Sequence, residues 1–115
     1  MTCWDLHICF FNGECFMAEE QKLEQKLVKA VKAKGGMALK FVSPGIDGVP
    51  DRLLLIAYGH ISFVEVKAKG KKPRPLQAKR INQIRNLGFK VFILDDETQI
   101  QNIINQTKGG ADDAW

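Results

Sequence analysis

A chain of 115 residues, 45% hydrophobic and 26% charged, is long enough for one domain with a modest core and too short for two. No run of about 18 apolar residues occurs, which excludes a transmembrane helix, and the N-terminus lacks the basic start of a secretory signal. The net charge of +4 is unevenly spread. From Val66 to Leu94 every charged residue is basic (Lys67, Lys69, Lys71, Lys72, Arg74, Lys79, Arg80, Arg85 and Lys90), the electrostatic footprint of a surface that meets phosphate backbones.

The opening MTCWDLHICFFNGECF holds all three cysteines, Cys3, Cys9 and Cys15. An odd count argues against a disulfide framework, and a zinc site from these with His7 matches no common spacing. Residues 1–16 therefore read as an extension outside the fold, with a domain over 17–107 and a frayed tail over 108–115. Residues 18–34 carry Leu23, Leu27, Ala30 and Val31 at helical spacing, and Gly35-Gly36 stops the helix. Met37 to Val42 reads as a strand, and SPGIDGVP as a loop.

Arg52 to Tyr58 and Ile61 to Ala68 read as strands of an antiparallel hairpin turning at Gly59-His60. GKKPRP breaks the pattern. A second helix over 75–87 follows, with Leu76, Ile81, Ile84 and Leu87 on one side and Gly88 at its end. Phe89 to Leu94 is a strand, and Asp95 or Asp96 caps a final helix from Glu97 to Thr107. The order is α-β-β-β-α-β-α.

Within this order one piece, FVEVK, sets Glu65 and Lys67 on the same face of a strand. The hairpin brings Asp51, at the exit of the Gly/Pro loop, to within a residue or two of Glu65. Adjacent carboxylates repel unless a cation lies between them, and Mg²⁺ suits such a pair together with waters and phosphate oxygens. Lys67 is then placed to order an attacking water and to neutralise phosphate charge. Phe63 and Ile61 share that face, so it reads as largely buried and its charges need partners. Glu24, three, four and seven residues before Leu27, Val28 and Val31, and Glu20 one turn earlier, are each within reach of the same site. Gln77 shares a side with Ile81 and Ile84, where its amide can meet a carboxylate, a water or a phosphate.

The loop GVPDR, the strand GHISFVEVKAKGKKPR, the preceding GGMALKF and the following LQ together resemble the VRR-NUC family of the PD-(D/E)XK nuclease superfamily, across roughly Met17 to Ile104. The resemblance implies an α/β single-domain restriction-endonuclease-like core, a central mixed sheet flanked by helices. It implies a Mg²⁺- or Mn²⁺-dependent DNA endonuclease, with Asp51, Glu65 and the carbonyl of Val66 on the metal and Lys67 as the catalytic lysine. Gln77 matches the family's helix glutamine, and Glu24 matches its first-helix glutamate, at the catalytic centre and on the metal, better than Glu20. Lys69, Lys71, Lys72, Arg74, Lys79 and Arg80 would grip the DNA backbone. Such proteins resemble dimeric junction resolvases of phages and prophages, which implies branched or duplex DNA as partner, a homodimer, no membrane, and the cytoplasm of a bacterial host. A module of the double-stranded-RNA-binding type, or an inactive nuclease kept for binding, is the competing expectation.

Overall fold

The computed structural model describes residues 9–11, 14–16 and 19–109. Strands β1 (Cys9–Phe11) and β2 (Glu14–Phe16) pair antiparallel as a two-stranded sheet of their own. Cys3 and His7, whose spacing with Cys9 and Cys15 matches no common zinc pattern, lie outside the described residues, as does the tail beyond residue 109.

Helix α1 (Glu19–Ala33) buries Leu23, Glu24, Leu27 and Val31, the stripe that the 3.6-residue period dictates. Two acidic residues open it and Lys32 sits in its last turn, complementing the helix dipole. Gly35, at φ 80°, ends it in the left-handed conformation favoured after a helix. The following Gly36 is required by space rather than by φ. A Cβ there would lie 2.6 Å from the carbonyl oxygen of Leu55.

The main sheet has the order β3 (Met37–Lys40), β4 (Arg52–Ile56), β5 (His60–Val66), β6 (Lys90–Leu94). The first three strands are antiparallel and β6 runs parallel to β5, because helix α2 (Pro75–Asn86) carries the chain back between them. The β4–β5 turn falls on Ala57–Gly59, one residue before the expected Gly59-His60, and His60 already belongs to β5. Asp96 accepts from Thr98 N–H as the N-cap of a short 3-10 turn, Glu97–Gln99, and only then does α3 (Ile100–Thr107) begin. The final helix is thus split in two.

Alternation divides the sheet into unlike faces. Leu54, Ile56, Val64, Val66 and Leu94 pack against Leu23, Leu27 and Val31 of α1 and Ile100, Ile103 and Ile104 of α3. Ser62 also lies here, its hydroxyl 2.7 Å from that of Thr107, so this buried polar pair satisfies itself. Strand β6 and helix α3 are integral to that core, whereas an α-β-β-β-α RNA-binding module would end before them.

The opposite face carries α2, packed chiefly on β6 through Ile81 and Val91. Leu76 and Leu87, expected inward with Ile81 and Ile84, are exposed, Leu87 by 76%. The helix packs chiefly on the edge strand β6, and among the described residues no second layer lies beyond it. The expectation that Ile61 and Phe63 lie on a largely buried face is corrected in the same way. Ile61 is exposed and Phe63 half-buried, and only the Glu65 end of that face is closed. Among the described residues no helix is long and apolar enough to cross a membrane.

The close approach at Gly36 makes a direct test of this packing. Gly36→Ala should destabilise the protein by about 1–3 kcal/mol, the usual range for overpacking, read as a lowered thermal midpoint. An unchanged midpoint would mean that the α1–β3 connection does not press on β4.

Candidate active site

The β4–β5 register pairs Arg52 with Val64, so the next step outward sets Asp51 beside Glu65. Two backbone bonds hold Asp51 there. Phe41 N–H donates to its carbonyl at 2.9 Å, and Val66 N–H donates to its Oδ2 at 3.0 Å. The loop before it is wedged rather than loose. Pro50 is fully buried, and a Cβ on Gly48 would meet Leu76 and Arg80 of α2 at 3.0–3.1 Å. Arg80 Nε also donates to the carbonyl of Asp47 at 2.7 Å.

Glu65 is 1% exposed. Its Oε2 accepts from Gln77 Nε2 at 2.7 Å and lies 3.3 Å from Lys67 Nζ. Gln77 can face only this way, because its own Oε1 accepts from Arg74 N–H at 3.0 Å. Pro75 starts α2 without an N–H to satisfy, and this local turn aims Gln77 at the sheet. Glu65 Oε1, by contrast, is buried with no partner among the described residues. A carboxylate oxygen in that state is destabilising unless a proton or a cation meets it.

The electrostatics agree. Burial pushes the Glu65 carboxyl up to about 7, the negative charge of Asp51 adds to the rise, and Lys67 opposes it. Asp51 is raised as well, first by burial and then by the charge of Glu24 and Glu20, against the Val66 N–H bond. A carboxylate pair of this kind, with one oxygen left over, fits a hard divalent cation that takes oxygen ligands. Among the described residues no three His, Cys, Asp or Glu side chains converge as a metal group, so the close acidic set is Asp51 and Glu65.

Glu24 is buried on the α1 face, where Arg52 Nε donates to its Oε2 at 2.6 Å. Arg52 also donates to the Ala38 carbonyl at 3.1 Å. The sequence reading missed Arg52, although parity signals it. Arg52 shares a face with Leu54 and Ile56, both buried, and a charge there requires a partner from the helix above. Of the basic residues expected at a backbone, Lys71, Lys72, Arg74 and Lys79 are exposed around the start of α2. Lys69 Nζ is 3.7 Å from Asp96, and Arg80 is engaged by Asp47 and by Gln83 at 2.8 Å.

Glu65 binds its proton more tightly in the folded chain than in the unfolded one, across the window from 4.5 to about 7. Stability of the cation-free protein therefore falls as pH rises through that window, and Asp51 acts in the same direction. Glu65→Gln should flatten the fall by on the order of 1–2 kcal/mol. Urea denaturation at pH 5 and 7.5 checks it, and equal slopes in both proteins would contradict the assigned burial of the charge.

No family model matches the sequence. The chain is 46% identical over 81 residues to "Putative nuclease p44" of Acyrthosiphon pisum secondary endosymbiont phage 1, a match covering 70% of this chain and 87% of that protein. A solved structure described as "VRR_NUC domain" superposes with a TM-score of 0.72 at 31% identity, covering 76% of this chain and 95% of that one. The GVPDR loop and FVEVK strand thus sit in the fold that their resemblance implied, and the chain belongs to the VRR-NUC family of nuclease domains.

Proposed function

We propose that the protein is a divalent-cation-dependent endonuclease that hydrolyses DNA phosphodiesters, selective for branched structure, and that it works as a homodimer in phage or prophage replication and repair. The observation that carries the reading is Glu65, buried beside Asp51 with one carboxylate oxygen unpartnered. Asp51, Glu65 and the Val66 carbonyl would hold Mg²⁺ or Mn²⁺. A cation bound there supplies polarisation of the phosphate and lowers the pKa of a nearby water.

The chain's own residues do the rest. Lys67, half-buried and beside Glu65, orients the water for in-line attack and offsets charge on the phosphate. A bond from water oxygen to phosphorus forms, the water giving up one proton to solvent, as the bond from phosphorus to the leaving sugar oxygen breaks and that oxygen takes up a proton from solvent. Gln77 keeps Oε2 of Glu65 engaged so that Oε1 faces the site. Lys71, Lys72, Arg74 and Lys79 bind the backbone without reading base sequence, which favours recognition of DNA shape. The phage origin of the relative supports action in the cytoplasm of a bacterial host.

Support for a dimer comes from the open sheet face. The register aligns Met37, Leu55 and Ile61 in one row and Leu39, Leu53 and Phe63 in the next. Phe41 and Phe89 flank Phe63 with ring centroids 5.4 and 6.1 Å away. Met37, Leu39, Ile61 and Phe89 are all exposed, Met37 by 55%. A contiguous apolar patch three strands wide marks an interaction surface, and a two-fold copy can cover it with the same patch.

Cleavage of linear and four-way-junction DNA with Mg²⁺ or Mn²⁺ tests the activity. Asp51→Ala should abolish cutting, and Lys67→Ala should slow it by about 10²–10⁴-fold, with binding to DNA retained. A wild-type protein that binds but never cuts overturns the reading. For the assembly, light scattering should give twice the chain mass for wild type and a monomer for Leu39→Glu. A monomeric wild type at micromolar concentration removes the dimer.

A further inference from the structure

The connection between β3 and β4 closes on itself where Phe41 N–H donates to the Asp51 carbonyl at 2.9 Å. Residues 42–50 therefore form a loop with one foot on Asp51 of the candidate site. The base of that loop is fixed. Pro50 is fully buried, Gly48 takes φ 83° with Leu76 and Arg80 of α2 pressed against it, and Arg80 Nε holds the Asp47 carbonyl at 2.7 Å.

The outer half of the loop is different. Ile46 N–H donates to the Ser43 carbonyl at 3.2 Å, a turn with Pro44 at its second position, and a Cβ on Gly45 would meet nothing within 4 Å. Two aliphatic residues flank this open turn, Val42 at 67% exposed and Ile46 at 49%. A single exposed aliphatic is ordinary on a surface. Here two of them stand on a fixed base next to the acidic pair. Holding apolar side chains in water gains nothing within the chain, but a ligand that buries them later has no loop to order.

The surrounding charge favours DNA as that ligand. The loop rests on α2, around whose start Lys71, Lys72, Arg74 and Lys79 are exposed, and it carries one acid of its own, Asp47. A backbone drawn to those cations, with a phosphodiester at Asp51 and Glu65, would run past the loop. Apolar side chains that meet a duplex in this way enter between bases, at the cost of unstacking a step. That cost is small where a branch, bulge or gap has already broken the stack. We propose that Ile46, with Val42 across the turn, is a wedge that enters between bases of the substrate and selects DNA whose stacking is already interrupted. The proposal deepens the reading of the protein as a DNA endonuclease and rests on it.

The test reads unstacking separately from cutting. Branched DNA carrying 2-aminopurine, whose fluorescence rises when it leaves the stack, is titrated with Asp51→Ala protein, which should bind without cleaving. Fluorescence should rise at positions next to the branch, and stay at the free-DNA level at saturation with Asp51→Ala/Ile46→Ser. Ile46→Leu in the same background should restore the rise. In the cleaving protein, Ile46→Ser should lower kcat/KM on a four-way junction by about tenfold, the order expected from losing half an isoleucine's burial. Linear duplex should lose less, so the preference for the junction narrows. Should Ile46→Ser lower the thermal midpoint, Val42→Ser carries the same test from the other side of the turn. A saturated complex with no rise, or an equal rise with Ile46→Ser, overturns the wedge. So does conversion of a dimer to a monomer by Ile46→Ser in light scattering, which would make the loop a contact between chains. Wild type that binds no DNA removes the wedge together with the reading beneath it. Wild type that binds and never cuts overturns the endonuclease reading alone, and the fluorescence still decides whether the loop enters the stack.

Discussion

The structure depends on one buried carboxylate. Glu65 lies in the middle of a domain whose neighbouring strand positions, Val64 and Val66, are apolar and fully enclosed, yet one of its oxygens has no partner among the described residues. Burying a charged group is unfavourable, and burial accordingly raises the Glu65 carboxyl. Every nearby polar group is arranged around it. Gln77 and Lys67 take one oxygen, the charge of Asp51 adds to the rise of the carboxyl, and Val66 N–H holds Asp51 in place.

That arrangement is held by elements from both layers. The Asp51 loop leans on α2 through Gly48, where any side chain would strike Leu76 and Arg80, and α2 in turn supplies Gln77. On the other face α1 supplies Glu24 to Arg52, the residue next to Asp51. Asp51 is therefore fixed by its neighbours in sequence, one anchored above the sheet and one loop wedged below it. Preorganisation of this kind matters because a catalytic charge gains its effect only when it is held in place before the reaction.

Much of the site was legible because it follows from counting. A hairpin centred on Tyr58 pairs residue 51 with residue 65, whereas the expected turn at Gly59-His60 would pair residue 51 with residue 68, so counting brought both carboxylates to the same end of the hairpin without giving their register. The alternation that puts Glu65 and Lys67 on one face is equally arithmetic. The Glu24–Arg52 pair was not seen, since 28 residues separate its members and no local spacing rule connects a helix stripe to a strand face. The exposure of Leu76 and Leu87 was also missed. Helical period shows which residues share a side, but not how much of that side a partner covers, and α2 meets only the last strand closely.

On the open face no such partner lies among the described residues. The row Leu39–Leu53–Phe63 is followed, two residues further along the strands, by the Asp51–Glu65 pair, so the apolar patch and the acidic site adjoin on the same sheet face. The basic residues Lys71, Lys72, Arg74 and Lys79 border the site from the α2 side. Two kinds of contact can then share one surface without competing, an apolar one across the strands and a phosphate one around the helix start. They differ in physics. Apolar association is strengthened by excluded salts, whereas phosphate binding weakens steeply as salt rises. Under the proposed function, assembly of the chains would accordingly persist under ionic conditions that release the nucleic acid, and the Asp51–Glu65 pair sits where the two surfaces meet.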